Sequence, residues 1–592
     1  MSFLKKTPNA EYVRHTLAHL LAAAVRDVYP HALPTIGPAI ENGFYYDFDF
    51  GNTPLNETDL PKLEAHMREL LPSWKNFEHR EVSADEARDY FKHATKGGNR
   101  YKAELIDDLE KEGATITLYT SGTFTDLCRG GHVEHPASDI KTDAFALSHI
   151  AGAYWRGDEN KQQLTRIYGL AFPTKKELDA YILMQEEAKK RDHRKLGKEL
   201  DLFTFSDLVG PGLPLWSPKG TLLRNLLDDF VWQLRKERGY VRVEIPHITK
   251  KDLFVMSGHW SKFSNELFKS TTREGHEFAL KPMNCPFHTQ IFARKQWSYR
   301  DMPQRYANTT MCYRDEQTGE LSGLSRVRAF TQDDAHVFCR ESQVRDEAFK
   351  IWDIIETFYG TFGFKLKVRL STHDPEHMDK FLGDISVWER AVNNFKDWLK
   401  ERKAEYVVGI GEAAFYGPKI DFIAKDSLGR EWQVATIQAD RSMPESFGLT
   451  CTNEKGEEER VVMLHAAIMG SIERFLSVMI EHTAGNFPLW LSPVQVKVLP
   501  LSDKFLKYAE SVADALRDKN IRVELDDSAE TLGKKIRNWK LEKVPYALVL
   551  GGEEEKKKEV TLESRDKGKV GTLSVEKLSE RLLKEIGGRM SL

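Results

Sequence analysis

The alternation of apolar and polar positions divides the chain into three regions of different secondary structure. Residues 1 to about 190 open with a helix pattern and then mix short strands with helices. Residues 175–200 carry many Glu, Lys and Arg and few apolar side chains, which is typical of an exposed connecting helix. After residue 491, strand patterns such as VQVKVLPL and YALVLGG alternate with helix patterns, so we predict a small α/β unit with a mainly parallel sheet.

The middle region, residues 201–491, contains the clearest helix pattern of the chain. TLLRNLLDDFVWQLRKERGY is amphipathic and predicts a helix that ends near Gly239, because glycine readily terminates helices. YVRVEIPHI then predicts a strand that stops at Pro246. Toward the end of the region, HAAIMGSIERFLSVMIEH predicts a helix over residues 465–482.

Length and composition narrow the class of protein. A chain of 592 residues is too long for one core, so we expect about two to four domains. No run approaches the roughly 18 apolar residues that a membrane span requires, and the start lacks the apolar core of a signal peptide, so we expect no membrane partner. Five scattered cysteines argue against a disulfide framework and favour a reducing, cytoplasmic location.

The charge balance leaves nucleic-acid binding open. A formal net charge of −4 does not by itself indicate a nucleic-acid-binding protein, but a local basic face is enough for phosphate contacts. Basic clusters occur at residues 189–198 and 533–543. Such clusters are most often solvated helix faces, so neither of them alone predicts a partner.

The most informative segment is residues 313–336, YRDEQTGELSGLSRVRAFTQDDAH. It places Arg314, Arg326 and Arg328 beside a glycine-containing turn, together with Glu316. Arginine suits phosphate oxygens because its planar guanidinium donates two parallel hydrogen bonds. The segment therefore predicts an arginine-lined hairpin that holds a nucleoside triphosphate; the alternative is an ordinary charged hairpin on a solvated face.

The same residues carry a resemblance to a known family. Arg314-Asp-Glu316 followed by RVRAFTQDDAH resembles motif 2 of the class II aminoacyl-tRNA synthetases, and the TQDDAH ending resembles the threonyl-tRNA synthetases in particular. The helix before Gly239 with its proline-terminated strand resembles motif 1, the dimer-interface element, and GSIER at residues 470–474 resembles motif 3. The alternating C-terminal region resembles the anticodon-binding domain of a subgroup, so the resemblance covers essentially the whole chain.

This resemblance implies a multidomain α/β (α+β) protein that forms a homodimer. An α+β editing domain would occupy residues 1–190, with a connecting helix to about residue 200. A class II catalytic domain, an antiparallel sheet flanked by helices, would occupy residues 201–491, and an α/β anticodon-binding domain would occupy residues 492–592. Threonyl enzymes often carry a further small domain ahead of their HxxxH segment; because HTLAH begins at His15, we expect that domain to be missing.

The resemblance assigns five residues to amino-acid activation. Arg314 would contact the α-phosphate of ATP and the substrate carboxylate, and Glu316 would read the adenine amino group. Phe330 would stack under the adenine. Arg326 and Arg474 would bind the outer phosphates, with Mg²⁺ bridging them. These assignments are chemically sound, since cations meet phosphate and a carboxylate accepts from an amine.

The threonyl pattern also implies one zinc ion per subunit, held by Cys285, His336 and His465. One thiolate and two imidazoles are good zinc ligands, and three protein ligands leave an open position. That position could bind the amino group and hydroxyl of threonine, whereas valine offers no hydroxyl. Two nearby residues, His288 and Cys339, are alternative ligands.

Further pocket positions match the family. The predicted substrate-binding residues are Gln332, Asp334, Tyr416, Lys419 and Gln438. The chain departs from the usual family residues at Phe287, at Ala466 and at residues 439–441. These departures concern the detailed shape of the pocket and leave the predicted zinc ligands in place.

A second, hydrolytic site is expected because serine also carries an amino group and a hydroxyl. One missing methyl group is worth only about 1–3 kcal/mol, too little for strict discrimination. HTLAH puts two histidines on one helix face, and it pairs with CRGGH as in the threonyl editing domain. The predicted editing residues are His15, His19, Lys102, Asp126, Cys128 and His132. Alternatively, one Cys and three His could hold a metal, or they could be plain core residues.

The resulting hypothesis is a threonine–tRNA ligase. It would activate threonine with ATP, transfer it to tRNA(Thr) and hydrolyse mischarged seryl-tRNA(Thr). The competing hypotheses are a non-catalytic relative that binds tRNA or messenger RNA, a zinc hydrolase built on HTLAH and CRGGH, and a class II enzyme for serine or proline. The intact motif arginines and predicted zinc ligands argue against the non-catalytic relative, the motif 2 segment against the hydrolase, and TQDDAH with Cys285 and His465 against another specificity.

Overall fold

The computed structural model describes residues 9–589 except for 54, 96, 159 and 382–383. The chain divides into two compact units, Met1–Glu186 and Glu187–Leu592. Each unit contains its own large hydrophobic core. In the described part of the chain, no helix combines the length and the apolar character needed to cross a membrane.

The first unit is an α+β structure with two antiparallel sheets. Asn9 starts the first helix by accepting a hydrogen bond from the Glu11 N–H at 3.0 Å, and the Ala- and Leu-rich face of this helix is buried. The helices are Ala10–Val28, Leu60–Leu70, Ala84–Ala94, Arg100–Lys111 and Pro136–Asp139. The strands of the larger sheet are Leu33–Pro34, Ala39–Ile40, Gly43–Asp49, Phe145–Tyr154 and Gln163–Ala171. The strands of the smaller sheet are Glu78–Glu81, Thr117–Ser121 and Phe124–Leu127.

The predicted connecting helix forms as two segments. The first is Lys175–Arg191, which runs across the boundary between the units, and the second is His193–Glu199. Asp192 separates them and caps the second segment by accepting a hydrogen bond from the Arg194 N–H at 2.8 Å. In the second segment, His193, Leu196 and Gly197 are buried, so this part of the connector belongs to a core.

The second unit is built on an eight-stranded sheet, as described between residues 241 and 471. Its two edge pairings are parallel and its five inner pairings are antiparallel. The strand order is Val241–Arg242, Gln304–Tyr313, Ala329–Cys339, Val462–Ser471, Glu431–Asp440, Lys419–Lys425, Leu366–Thr372 and Tyr406–Ile410. The longer helices of this region are Pro218–Lys236, Val344–Thr361, Ile385–Glu401 and Ile472–Thr483. Its shorter helices are Lys251–Met256, His259–Lys262, Cys285–Ala293 and Ser442–Ser446.

The predicted amphipathic helix of the second unit is confirmed as Pro218–Lys236. Ser217 caps its start by accepting a hydrogen bond from the Gly220 N–H at 3.1 Å, and proline occupies its first position. Gly239 lies just beyond its end with a φ of +77°, a conformation that glycine adopts without strain. The strand that follows is shorter than predicted and covers only Val241–Arg242.

The prediction of one helix over residues 465–482 was wrong for its first part. Residues 462–471 form a strand, and only Ile472–Thr483 is helical. The strand pairs on both sides and is almost entirely buried, and such a strand lacks the alternation that distinguishes it from a buried helix. Gly470, with a φ of +70°, and Ser471, which caps the helix, mark the change.

The C-terminal region contains the predicted alternation but not the predicted mainly parallel sheet. Its strand order is Val523–Leu525, Val496–Pro500, Tyr546–Leu550, Glu559–Ser564 and Gly568–Ser574. Its helices are Leu506–Arg517, Leu532–Leu541, Gly552–Lys557 and Val575–Gly587. The first three strands are parallel, and the last two pair antiparallel because a short turn joins them into a hairpin.

Candidate active sites

The arginine-rich segment forms the predicted hairpin, and its base opens into a cleft. The strands Gln304–Tyr313 and Ala329–Cys339 pair antiparallel up to Tyr313 opposite Ala329. Beyond that pair, the Arg314 N–H donates to the Arg328 carbonyl at 2.9 Å. A cleft of about 330 Å³ lies beside the hairpin. The structure brings all five predicted activation residues to its wall: Arg314, Glu316, Arg326, Phe330 and Arg474.

Charges within the cleft are partly paired with one another. Arg326 donates from Nε to Glu316 at 2.8 Å, while Glu320 lies 3.2 Å from its Nη2. The Arg314 guanidinium covers the Phe330 ring at 5.2 Å, and its buried Nε has no hydrogen-bond partner within the described residues. Burial lowers the pKa of Arg474, and the positive charge of Arg326 lowers it further. An anionic ligand in this cleft would therefore relieve both a buried donor and a repulsion between cations.

The sequence predicted no role for two residues near the cleft. Buried Glu473 accepts a hydrogen bond from the Thr331 N–H at 2.7 Å and thereby ties the start of the helix Ile472–Thr483 to the hairpin strand. Arg224 lies 3.4 Å from the same carboxylate. Arg224 has no local sequence signal, and Glu473 lies in the GSIER segment without a predicted role, because the contacts of both join segments more than 100 residues apart.

The predicted zinc ligands also meet. Cys285 starts the helix Cys285–Ala293, and His336 and His465 lie directly opposite each other on neighbouring strands. Their candidate ligand atoms lie within 4.8 Å of one another, and His336 Nε2 is 3.0 Å from His465 Nδ1. All three side chains are buried. This spatial group contains neither alternative ligand: His288 instead hydrogen-bonds to His336, and Cys339 is part of the large core.

Contacts with neighbouring side chains orient both imidazoles. The Nε2 atom of His465 lies 3.1 Å from an Asp440 carboxylate oxygen, and the Nδ1 atom of His336 lies 2.8 Å from His288 Nδ1. These contacts occupy the outer ring nitrogens and turn the inner ones toward Cys285, as in protein metal sites. Burial raises the pKa of the Cys285 thiol, and the charges of Asp334 and Asp440 raise it further. A cation among these groups would favour the thiolate form.

The other predicted pocket residues lie around this group but differ in their partners. Tyr416 stacks on His465 with ring centroids 5.0 Å apart, and its hydroxyl donates to Gln438 at 2.5 Å. Asp334 accepts a hydrogen bond from Asn284 at 3.1 Å, and Gln332 lies 3.6 Å from the Cys312 thiol. Lys419 faces Gln438 across neighbouring strands, while its ammonium group pairs with buried Asp421 at 3.0 Å.

His259, which lies near the Cys–His–His group, was not predicted. The Nε2 atom of His259 lies 3.9 Å from the Cys285 sulfur, and the ring is fully buried. Burial lowers the pKa of His259 to about 4. A lone histidine in SGHW has no local pattern that would have revealed this position.

The first unit contains a separate cluster in which all six predicted editing residues meet. His19 Nε2 lies 3.2 Å from His15 Nε2, and the Cys128 sulfur lies 3.2 Å from His132 Nε2. One Asp126 carboxylate oxygen lies 3.2 Å from His19 Nδ1, and the other lies 2.5 Å from the Lys102 ammonium nitrogen. The sequence reasoning missed Tyr46, whose hydroxyl donates to Asp126 at 2.5 Å. A cavity of about 500 Å³ opens beside these residues.

Electrostatics create a charged pair inside this cluster. Burial would raise the pKa of the Cys128 thiol, but hydrogen bonds from His132, His15 and His19 outweigh it and lower the pKa to about 3. Burial would lower the pKa of His19, but its bonds to Asp126 and Cys128 raise the pKa to about 9. Near neutral pH the cluster therefore holds a Cys128 thiolate beside a His19 imidazolium.

Comparisons with known proteins agree with this arrangement. The family described as "tRNA synthetase class II core domain (G, H, P, S and T)" matches residues 268–483. The family described as "Anticodon binding domain" matches residues 495–585. The first match contains the hairpin, the arginine cleft and the Cys–His–His group.

Two relatives that match this chain over nearly its whole length have the same name. A protein of Porphyromonas gingivalis named "Threonine--tRNA ligase" is 47% identical over 581 residues, which cover 98% of this chain and 88% of the relative. A protein of Gloeobacter violaceus with the same name is 47% identical over 97% of this chain and 92% of its own length. Among solved structures, the "RNA binding domain of Threonyl-tRNA synthetase" from Cryptosporidium parvum Iowa II is 39% identical with a TM-score of 0.64; it covers 67% of this chain and 98% of its own.

Proposed function

This chain belongs to the threonine–tRNA ligase family, and from that premise we propose how its residues divide the reaction. It is a class II aminoacyl-tRNA synthetase with an anticodon-binding domain, and its activity is the ATP-dependent joining of threonine to tRNA. One observation carries the residue assignment. Phe330, Gln332, Asp334 and His336 alternate along the strand Ala329–Cys339, so one sheet face leads from the arginine cleft to the Cys–His–His group.

In the activation step, a carboxylate oxygen of threonine attacks the α-phosphorus of ATP, and the bond to pyrophosphate breaks. Arg314 binds the α-phosphate and the carboxylate. Its Nε has no hydrogen-bond partner within the described residues and lies 3.9 Å from a Glu266 carboxylate oxygen, so it can donate to an anionic ligand. Arg326 and Arg474 bind the outer phosphates, Phe330 stacks on the adenine and Glu316 accepts from its amino group. The use of ATP by this class implies Mg²⁺, which would neutralise part of the phosphate charge.

The Cys–His–His group fits Zn²⁺, one ion per subunit. A thiol and two imidazoles are typical zinc ligands, their inner atoms converge within 4.8 Å, and the outer ring nitrogens are already hydrogen-bonded. When bound, the ion would supply a Lewis-acid position for the amino group and hydroxyl of threonine. Asp334, 3.8 Å from His336, and Tyr416, which stacks on His465, lie beside the group and would orient the substrate, and Gln438 fixes the Tyr416 hydroxyl.

The first unit would hydrolyse seryl-tRNA(Thr). Water forms a bond to the ester carbonyl carbon, the bond to the ribose oxygen breaks, and that oxygen takes a proton. The thiolate of Cys128 and the imidazolium of His19 can hold this water between them, and Asp126 with Lys102 keeps His19 in place. A metal held by the same three histidines and Cys128 is the second candidate, because all four donor atoms lie within 4.8 Å of one another.

The two sites are tested with separate reactions. Purified wild-type protein should support ATP–pyrophosphate exchange with threonine and not with valine, and it should deacylate seryl-tRNA(Thr). Arg314→Ala should abolish exchange and leave deacylation intact, whereas Cys128→Ala should do the reverse. Exchange with valine at the threonine rate, or with serine or proline alone, would contradict the proposed specificity.

The homodimer is proposed from the exposed edge of the large sheet. The edge strand contains Val241, 52% exposed, and the next segments expose Ile248, Val255 and Met256 at 46%, 53% and 54%. Apolar side chains beside an unpaired strand edge favour association with a second copy. The opposite edge also exposes Val407 and Val408, at 62% and 53%, and the resemblance of the Val241 edge to motif 1, the dimer-interface element, selects between the two.

A further inference from the structure

The tip of the hairpin that carries Arg326 is held by hydrogen bonds and by burial. Ser322 and Arg326 pair as an isolated bridge, with the Ser322 N–H donating to the Arg326 carbonyl at 3.1 Å. The tip between them contains Leu324, which is completely buried in the large core. The Ser325 hydroxyl lies 2.9 Å from the Ser477 hydroxyl on the helix Ile472–Thr483. A buried, bonded tip differs from an ordinary exposed hairpin turn.

His193 is the polar anchor of this tip. Its Nε2 accepts a hydrogen bond from the Leu324 N–H at 3.0 Å. Its Nδ1 lies 2.6 Å from Glu481, whose carboxylate also accepts from the His193 backbone N–H at 3.1 Å. Because the Glu481 carboxylate accepts the Nδ1 proton, the imidazole keeps a lone pair on Nε2 for the hairpin.

The surrounding charges favour this arrangement. Arg430 pairs with the other Glu481 oxygen at 2.5 Å, and Asp426 pairs with Arg430 at 2.7 Å. These two ion pairs hold the Glu481 carboxylate beside Nδ1 of His193. Asp192, His193 and Glu481 could also be taken for a metal site, but both nitrogens of His193 are already occupied by hydrogen bonds.

The lack of a side chain at Gly323 allows the His193 ring to lie close to the hairpin backbone. A side-chain Cβ at this position would lie 2.2 Å from His193 Nε2 and 2.8 Å from Arg194 Cγ. The residue also has a φ of +49°, which glycine tolerates better than other residues. The close contact between the connector and the hairpin therefore requires glycine here.

We propose that His193 is a positioning residue for ATP. By accepting the Leu324 N–H, it holds the hairpin tip so that Arg326, two residues further on, faces the phosphates. This rests on the proposed role of Arg326 in binding the outer phosphates of ATP. His193 does not touch the substrate; it acts through the backbone of the loop.

The test is steady-state ATP–pyrophosphate exchange with threonine on the full-length protein. His193→Leu, which removes the acceptor, and Gly323→Ala should each raise the KM for ATP about tenfold, the equivalent of one lost hydrogen bond to a buried group, and leave the KM for threonine within about twofold. His276→Leu, a change at an exposed histidine, is the control and should change neither constant. The double variant should raise the KM for ATP no more than the larger single effect, because both changes break the same contact.

The possible outcomes are distinct. An equal fall in kcat for every substrate with both KM values unchanged, or wild-type constants in His193→Leu, would overturn the proposal. Finding an ion in wild-type protein that His193→Leu loses would also overturn it in favour of a metal site. If wild-type protein shows no threonine-dependent exchange, the proposed function itself fails, and that result is independent of the variants.

Discussion

At the residue scale, the reactive groups of this chain depend on their immediate partners. Cys128 and Cys285 show this most clearly. Three histidines surround the first thiol and lower its pKa to about 3, whereas burial and two carboxylates raise the pKa of the second. Without a bound cation, the two thiols therefore favour opposite protonation states, and a cation beside Cys285 would shift that thiol to the thiolate form.

The first prediction concerns the charge of Cys128. Because its pKa is lowered to about 3, the thiolate is fully formed above about pH 5, and alkylation by iodoacetamide should proceed at a constant rate between about pH 5 and 8. His19→Asn removes one of the groups that lower the pKa, so the rate should become pH-dependent and rise with pH. The measurement is mass spectrometry of peptides that contain alkylated Cys128, with a peptide that contains no cysteine as the internal reference. A pH-dependent rate in the wild type would contradict the charged pair.

The second prediction concerns the contacts behind the proposed zinc ligands. Asp440→Asn keeps the shape but weakens the contact to His465, so zinc affinity should fall about 10- to 100-fold. Cys285→Ser should leave little bound zinc after dialysis. Cys339→Ser, a buried cysteine outside the group, is the matched control and should retain one ion per chain. Metal analysis of the purified proteins measures this, and equal zinc in all variants would argue against the proposed site.

At the element scale, the strand Ala329–Cys339 organises the second unit, because one face carries site residues and the other carries a buried ion pair. Phe330, Gln332, Asp334 and His336 occupy alternate positions on the site face. On the other face, Asp333 is completely buried and forms an ion pair with buried Arg235. Asp333 also accepts the backbone N–H groups of Ile468 and Met469 at 3.1 and 2.9 Å. This pair connects the helix Pro218–Lys236 to two central strands.

The third prediction follows from this buried pair. Asp333→Ala leaves the Arg235 charge and two backbone donors without a partner, so the free energy of unfolding of the second unit should fall by about 3–5 kcal/mol. Asp315→Ala, in an exposed part of the hairpin, is the control and should change it by less than about 0.5 kcal/mol. Urea unfolding followed by tryptophan fluorescence measures both. A change in Asp333→Ala below about 1 kcal/mol would contradict the role assigned to the pair.

At the scale of the whole molecule, the sites proposed for activation and for hydrolysis lie in different compact units. The arginine cleft and the Cys–His–His group lie in the second unit, and the cluster of His15, His19, Cys128 and His132 lies in the first. Because the residues proposed for each site belong to one unit, variants in one site should leave the chemistry of the other unchanged. The boundaries proposed for the individual domains stay predictions.

The fourth prediction concerns assembly. Val241→Asp places a charge on an exposed edge strand that we propose to be covered in the homodimer. Size-exclusion chromatography with light scattering should show a dimer for the wild type and a monomer for this variant. Val407→Asp, at the opposite edge of the same sheet and 62% exposed, is the matched control and should remain dimeric. A monomeric wild type, or loss of the dimer in both variants, would place the interface elsewhere.

The site could be predicted from the sequence to different depths at different residues. Helical spacing alone places His15 and His19 on one helix face, and the density of arginines predicts a hairpin suited to phosphate, but the resemblance to a family assigned both groups to sites. The set of Cys285, His336 and His465 came only from family resemblance, since 129 residues separate the two histidines. Glu473, Asp440 and His193 support the sites through contacts that no local pattern indicates.

The sequence by itself determined those features that depend on a few neighbouring residues, such as the capped helix Pro218–Lys236 and the hairpin ahead of TQDDAH. Tertiary structure decided whether residues 465–471 would be a helix or a central strand, because an apolar run suits both and only pairing on two sides selects the strand. It also decided which thiol meets which imidazoles. Strand register and helix packing set those distances, and they act between segments that lie far apart in the chain.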